Sequence, residues 1–195
     1  MIFNQERKEI QVKIVYYGPA MSGKTTSIRY LFKYFGNSNK LRSIESTVGR
    51  TLFFDFGILK FQGCNWNLKF LVYSATGQDF YSSTRPATLQ GVDGIIFVAD
   101  AQKNRLDKNV FSWKELKKLF GAEIFNMPII FSLNKYDLQD IQKISHIEIK
   151  DMINYNKFTK IFINETIAKK GKGILKAFKI MINFIFPNLN LVQTN

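Results

Sequence analysis

The sequence predicts an α/β fold: a doubly wound, mostly parallel sheet with helices on both faces. Three observations predict it. Strand-like and helix-like runs alternate along the whole chain, as in a parallel sheet covered by its crossover helices. The run Gly-Ile-Ile-Phe-Val-Ala-Asp at residues 94–100 is almost continuously apolar, which suits a central strand buried on both faces. A turn opening at Gly18 separates a β-branched run from one with helical spacing.

Taken in order, residues 11–17 carry Val12, Ile14 and Val15 and read as a strand. Residues 25–35 place Ile28, Leu31, Phe32 and Phe35 at helical spacing. Residues 51–56 and 68–73 read as strands joined through the turn signals Gly63 and Asn65, and paired antiparallel. Beyond the central strand, residues 107–120 and 145–155 read as helices, and residues 129–133 and 158–164 as strands. Residues 173–185 close the pattern as a helix with Ile174, Phe178, Met181 and Ile185 on one face, stopped by Pro187. That stripe reads as core packing rather than a membrane anchor. The residues after 187 are expected to fray. No internal repeat or linker interrupts the pattern, so residues 1–195 are expected to form one domain.

The composition, 46% hydrophobic and 22% charged over 195 residues, is that of a globular chain with a sizeable core. Cys64 is the sole cysteine, without a disulfide partner or companions for a zinc site, and reads as a small residue in a turn. Residues 1–8 turn charged at once instead of opening a secretory leader. Ile2 stands where myristoylation needs glycine, and no cysteine near the C-terminus offers prenylation. No apolar run approaches the roughly 20 residues that span a bilayer. A soluble, cytoplasmic protein is expected.

The net charge of +13 points toward nucleic acid or an anionic membrane. The cations are scattered, however, as at Lys13, Lys33, Lys60, Lys103, Lys117, Lys143, Lys157 and Lys176. Neither a basic block nor an aromatic–basic RNA-binding signature appears, so no nucleic-acid partner is expected. A peripheral contact with an anionic membrane stays open. So does a bland alternative, that richness in Lys, Asn, Ile and Phe reflects coding bias.

Gly18-Pro-Ala-Met-Ser-Gly23-Lys24-Thr25 fits the phosphate-loop pattern G-x-x-x-x-G-K-[ST]. Its physics is specific. Backbone N–H groups turn inward as an anion nest, and the following helix aims its positive end at the phosphates. Lys24 supplies a point charge to the β- and γ-phosphates, and the Thr25 hydroxyl ligates Mg²⁺. The expected nucleotide-binding stretch comprises Gly18, Pro19, Ala20, Met21, Ser22, Gly23, Lys24, Thr25 and Thr26.

A second motif concerns the base. Asn134-Lys135-Tyr136-Asp137 follows directly on a predicted strand. A carboxylate there accepts hydrogen bonds from the N1–H and 2-amino group of guanine, a donor pair that adenine lacks. Alone, the four residues would pass for a polar loop; paired with the phosphate loop they point to GTP and GDP.

With both motifs in place, the chain resembles the Ras-like superfamily of small GTPases from about residue 13 to residue 186. The resemblance implies a P-loop G domain with the nucleotide at the carboxyl ends of the strands. Asn164-Glu-Thr-Ile-Ala168-Lys169 resembles the last guanine loop, with Ala168 and Lys169 matching and Ile167 where serine is usual. Ser74-Ala-Thr-Gly77-Gln78 is similar to the Asp-x-x-Gly-Gln stretch of switch II. It implies that the Gly77 N–H holds the γ-phosphate and Gln78 orients the attacking water. Ser74 replaces the usual Mg²⁺-associated aspartate. That departure, with Thr51-Leu-Phe-Phe-Asp-Phe, Val15-Tyr-Tyr-Gly-Pro and residues 91–100, resembles the bacterial MglA-type polarity GTPases.

The MglA-type resemblance implies control of polarity and motility by nucleotide state, and a Roadblock-type (MglB-like) activating partner; effectors are left unnamed. It casts Thr51 as the switch threonine on Mg²⁺ and Arg50 as an arginine finger from the same chain. Thr47 competes for the first role, and an ordinary exposed arginine for the second. The catalytic set is then Gln78, Arg50 and Lys24, and the metal set Thr25 and Thr51. Ala20 stands where glycine is usual and crowds the space that Gln78 and the transition state share, so hydrolysis is expected to be slow without a partner. A GTP-binding scaffold with negligible hydrolysis is the first alternative, an ATP-using P-loop enzyme the second. His146 reads as a surface residue, Asp93 and Asp100 as strand flanks without acid–base partners, and Trp66 as either sheet-edge packing or a partner contact.

Overall fold

The computed structural model describes residues 1–45, 51–63, 65–77, 84–139 and 141–187. Among them, eight strands form one sheet: β1 (Ile2–Asn4), β2 (Glu9–Tyr17), β3 (Leu41–Glu45), β4 (Thr51–Phe61), β5 (Asn67–Ala75), β6 (Gly94–Asp100), β7 (Ile129–Asn134) and β8 (Ile161–Thr166). Five helices accompany it: α1 (Lys24–Tyr34), α2 (Arg85–Leu89), α3 (Leu106–Phe120), α4 (His146–Ile153) and α5 (Ile174–Ile185). The order across the sheet is β3-β4-β5-β2-β6-β7-β8, with β1 antiparallel along the start of β2. Strands β5, β2, β6, β7 and β8 are mutually parallel, while β4 runs antiparallel to both β3 and β5.

Alternation along the central strands sends side chains to two cores. Ile14, Tyr16, Ile96 and Val98 meet Ile28, Leu31 and Phe32 of α1 and Phe178 and Met181 of α5 on one face. Val15, Tyr17, Phe97 and Phe131 meet Trp113 and Leu116 of α3 and Ile149 and Ile153 of α4 on the other. All seven residues of β6 are buried, which explains its unbroken apolar run. The doubly wound architecture expected from the sequence is therefore present.

The differences lie at the ends of elements. The helix expected over 145–155 stops at Ile153, because Asn154 takes a left-handed conformation (φ 58°). Its start is fixed by a capping box, with the Ser145 side chain accepting from the Glu148 N–H and Glu148 reaching back to the Ser145 N–H. The last strand begins at Ile161 rather than at residue 158, after the turn at residues 155–157. Strands β4 and β5 run longer than expected, and β1 and β3 add to the sheet. Trp66 resolves as sheet-edge packing, its ring T-shaped against Phe3 at 6.4 Å. Cys64 and the residues after 187 lie outside the described residues.

Tyr16 is 1% exposed and its hydroxyl finds no hydrogen-bond partner among the described residues. An unsatisfied buried hydroxyl costs stability that a phenyl ring of the same shape does not. Tyr16→Phe is expected to raise stability by about 1 kcal/mol in denaturant unfolding. A loss of similar size would show that the hydroxyl is satisfied in solution.

Candidate functional site

Five strand ends meet at the carboxyl edge of the sheet: those of β5, β2, β6, β7 and β8. The loop after β2 is shaped by two glycines with positive φ. A Cβ at Gly18 (φ 134°) would lie 2.3 Å from the carbonyl oxygen of Val98 on β6. One at Gly23 (φ 108°) would lie 2.1 Å from the Asn134 amide nitrogen. Glycine is required at both for conformation and for space.

Lys24 opens α1 and is buried, its Nζ donating to the carbonyl oxygens of Gly18 and Pro19 at 2.8 Å each. Burial, and then the nearby Arg85 cation, lower its pKa to about 7, partly offset by Asp55. A phosphate placed in the loop would restore the charge. Pro19 and Ser22 are buried, while Ala20, Met21 and Thr26 are exposed. The Ser22 hydroxyl has no hydrogen-bond partner among the described residues. Met21 holds φ 63°, unusual for a residue with a side chain.

The Thr25 hydroxyl donates to Asp55 at 2.5 Å, and Asp55 is fully buried on β4. Asp55 stands directly opposite Ser74 in the β4–β5 register. A carboxylate thus faces position 74, where the sequence itself carries serine. Thr25 and Asp55 are hard oxygen donors beside the phosphate loop, a donor set that fits Mg²⁺. Among the described residues no group of three or more His, Cys, Asp or Glu side chains gathers to hold an ion alone.

Gly77 lies against the same loop: a Cβ on it would sit 2.4 Å from the Ala20 nitrogen. A cleft of about 410 Å³ opens beside it, lined in part by Pro19, Ala20, Arg85, Phe111 and Ser112. Arg85 is buried, donating to the Thr76 carbonyl at 3.0 Å and forming an ion pair with Glu115 of α3. Tyr17 donates to the same Glu115 carboxylate at 2.6 Å.

At the far side, Asn134 joins three segments. Its amide donates to the Ser22 carbonyl at 2.7 Å, and its oxygen accepts from the Ala168 N–H at 2.9 Å and the Thr166 hydroxyl at 3.3 Å. Lys135 (φ 64°) forms an ion pair with Asp100 at 2.6 Å. Asp100 also accepts from Gln102, and Asn109 clamps its backbone N–H and carbonyl. Asp137 is exposed, with Lys170 4.0 Å away. Ala168 is buried and Lys169 exposed.

The structure thus assembles residues 18–26 with Gly77, Asn134, Lys135, Asp137, Ala168 and Lys169 along one edge. Thr51 is the first residue of β4, paired with Glu45 of β3. Arg50, Thr47 and Gln78 lie outside the described residues. Two further residues emerge from the packing. Asp55 was visible only as a carboxylate inside an aromatic strand run, and Asp100 as one closing an apolar run. Asp100, expected to be a strand flank, is paired after all, with Lys135. Asp93 accepts from the Lys13 N–H at 2.8 Å. His146 is at the surface as expected, in contact with Glu165 at 3.0 Å.

The model of the Ras family matches residues 13–186 of this chain. The chain belongs to the Ras family. This Ras-family small GTPase is 31% identical over 192 residues to the mutual gliding-motility protein MglA of Myxococcus xanthus, an alignment covering 95% of this chain and 96% of that one. It is 27% identical to the Ras-related protein Rab-11A of Dictyostelium discoideum, across 94% of this chain and 79% of that one. It is also 27% identical to the Ras-related protein Rab-31 of Rattus norvegicus, across 87% and 80%.

Because burial holds the folded-state pKa of Lys24 near 7 against 10.5 for the free side chain, the unfolded chain binds more protons between those values. This contribution to stability therefore rises with pH across that window. In urea unfolding of nucleotide-free protein, the wild type is expected to gain on Lys24→Met as pH rises from 7 toward 10.5. A difference that does not change with pH would mean that Lys24 is charged and ordinary.

Proposed function

We propose that this Ras-family protein is a Mg²⁺-dependent switch that hydrolyses GTP to GDP and phosphate, slowly until a partner binds. The observation that carries the reading is the three-way grip of Asn134, which fixes the phosphate loop at Ser22 to the guanine loop at Ala168. Nucleotide phosphates and base are then read by one rigid edge, with Asp137 selecting guanine and Lys135 oriented over the site by Asp100.

Thr25 and Thr51 would hold Mg²⁺, with Asp55 fixing the Thr25 hydroxyl. The bound ion would supply charge neutralisation on the phosphates. This chain's own groups do the rest. Lys24, protonated once phosphate enters, offsets charge on the β- and γ-phosphates. The Gly77 N–H, held close to Ala20, offers a hydrogen bond at the γ-phosphate end. Gln78 orients the water, and Arg50 neutralises the charge that develops as the bond to the leaving oxygen breaks.

The likeness to the gliding-motility protein MglA over nearly the whole of both chains supports a role in motility; control of polarity and a cytoplasmic location belong to the same proposal. The likeness also supports a Roadblock-type activator, whose contribution would be to seat Arg50 and Gln78. Residues 1–195 would act as one G domain, and effectors would read the switch segments. A second reading, a GTP-binding scaffold with negligible turnover, is favoured by Ala20 at the mouth of the cleft beside Gly77. Multiple-turnover assays with and without such an activator separate the two: turnover that stays at background in both selects the scaffold.

Competition among GTP, GDP and ATP on the purified protein tests the central claim. Guanine nucleotides are expected to bind about a thousandfold or more tighter than ATP. Asp137→Asn should weaken GTP and shift preference toward xanthosine triphosphate. Equal competition by ATP would end the GTPase reading for this site. Asp55→Asn is expected to raise the Mg²⁺ concentration required for half-maximal turnover by about tenfold or more. An unchanged requirement would remove Asp55 from the metal side of the site.

A further inference from the structure

The cations that look scattered in the sequence are sorted by the fold. Residues 24–44 and residues 166–187 contain no aspartate or glutamate. These stretches supply α1 and α5, which lie side by side on the same face of the sheet, both packed on the core of Ile14, Tyr16 and Ile96. Arg29 and Lys33 of α1, and Lys172, Lys176 and Lys179 at the start and along α5, are all exposed. Lys176 and Lys179 stand three residues apart on one side of α5, and Lys172 lies in the turn just before the helix. Tyr34 stands among these cations, 50% exposed. The opposite layer is mixed in sign, carrying Asp107, Glu115, Glu148 and Asp151 on α3 and α4 beside its lysines.

We infer that the α1–α5 face docks on an anionic lipid surface. Charge complementarity names the class of partner, and the shape of the face narrows it. Two neighbouring helices present a broad outer surface, whereas the clefts beside Gly77 and along α4 open on the other layer. A protein partner is anchored by side chains filling pockets, and these two clefts lie on the opposite layer. Lysine is a hydrated point charge that meets headgroup phosphates without fixed geometry, and four of the five cations here are lysines. An exposed tyrosine suits the bilayer interface. No described helix is long and apolar enough to cross a membrane, so the contact is peripheral adsorption. This surface is independent of the nucleotide site, and the inference stands or falls without it.

The test is sedimentation of the full chain with vesicles of phosphatidylcholine alone, or with roughly one-third phosphatidylserine. The protein is expected to go down with the anionic vesicles and not the neutral ones, and to be released as salt rises to about 0.5 M. Each lysine contributes about fivefold, so exchanging Lys172, Lys176 and Lys179 together for glutamine should weaken binding about a hundredfold. The matched variant Lys114→Gln, Lys118→Gln, Lys150→Gln removes three charges from the other layer and should change binding by less than about threefold. If the α5-side triple variant melts early, Lys33→Gln with Lys176→Gln carries the same test at about 25-fold. Equal losses in both triple variants, or no binding to anionic vesicles at low salt, would overturn the inference. Preferential binding of duplex RNA or DNA, lost in the same α5-side variant, would reassign the face to nucleic acid and overturn it too.

Discussion

One amide side chain sets the geometry on which the rest of the site depends. Asn134 leaves the end of β7 and bonds backward to the phosphate loop and sideways to the loop after β8. It can do so only because Gly23 has no side chain, since a Cβ there would occupy the position of the Asn134 nitrogen. A buried amide with its donor and acceptor capacity used is strongly directional. The loops at the ends of β2, β7 and β8 are therefore one body. Two motifs that the sequence carries more than a hundred residues apart, residues 18–25 and 134–137, are thus joined into a single surface.

Around that body the charges are arranged in pairs that each span two elements. Lys135 leans on Asp100, Thr25 on Asp55, and Arg85 on Glu115, which Tyr17 also reaches. Among the described residues, Lys24 lies buried with its ammonium on the carbonyl oxygens of Gly18 and Pro19, and Asp55 offsets only part of its desolvation. An anion placed beside that lysine would relieve the cost of burying its charge.

What could be read from the sequence follows from how local each requirement is. A phosphate nest is made by consecutive backbone groups, so residues 18–25 announce themselves, and so does the Asn134–Asp137 stretch at a strand end. The central strand and the long helices were legible because periodicity persists over many residues. Strands β1 and β3, of three and five residues, are too short to show it. Asp55 and Asp100 were missed for a different reason. Their significance depends on which residue a neighbouring strand or loop sets opposite, and register is a tertiary fact. The basic face was hidden likewise: Lys33 and Lys176 are remote in sequence, and they belong to one face only because α1 and α5 share one layer.

The pairing of Asp55 with Ser74 divides between two strands the groups that lie against the phosphate loop. With the carboxylate on β4, the group that steadies Thr25 is carried by a different strand from the one that leads into Gly77. Had it stood at position 74, a single segment would have carried both duties, and any displacement of one would have dragged the other. Here the two duties sit on separate segments, the Thr25 contact on the antiparallel strand and the Gly77 approach at the end of the parallel one, joined by the ladder that sets Asp55 opposite Ser74.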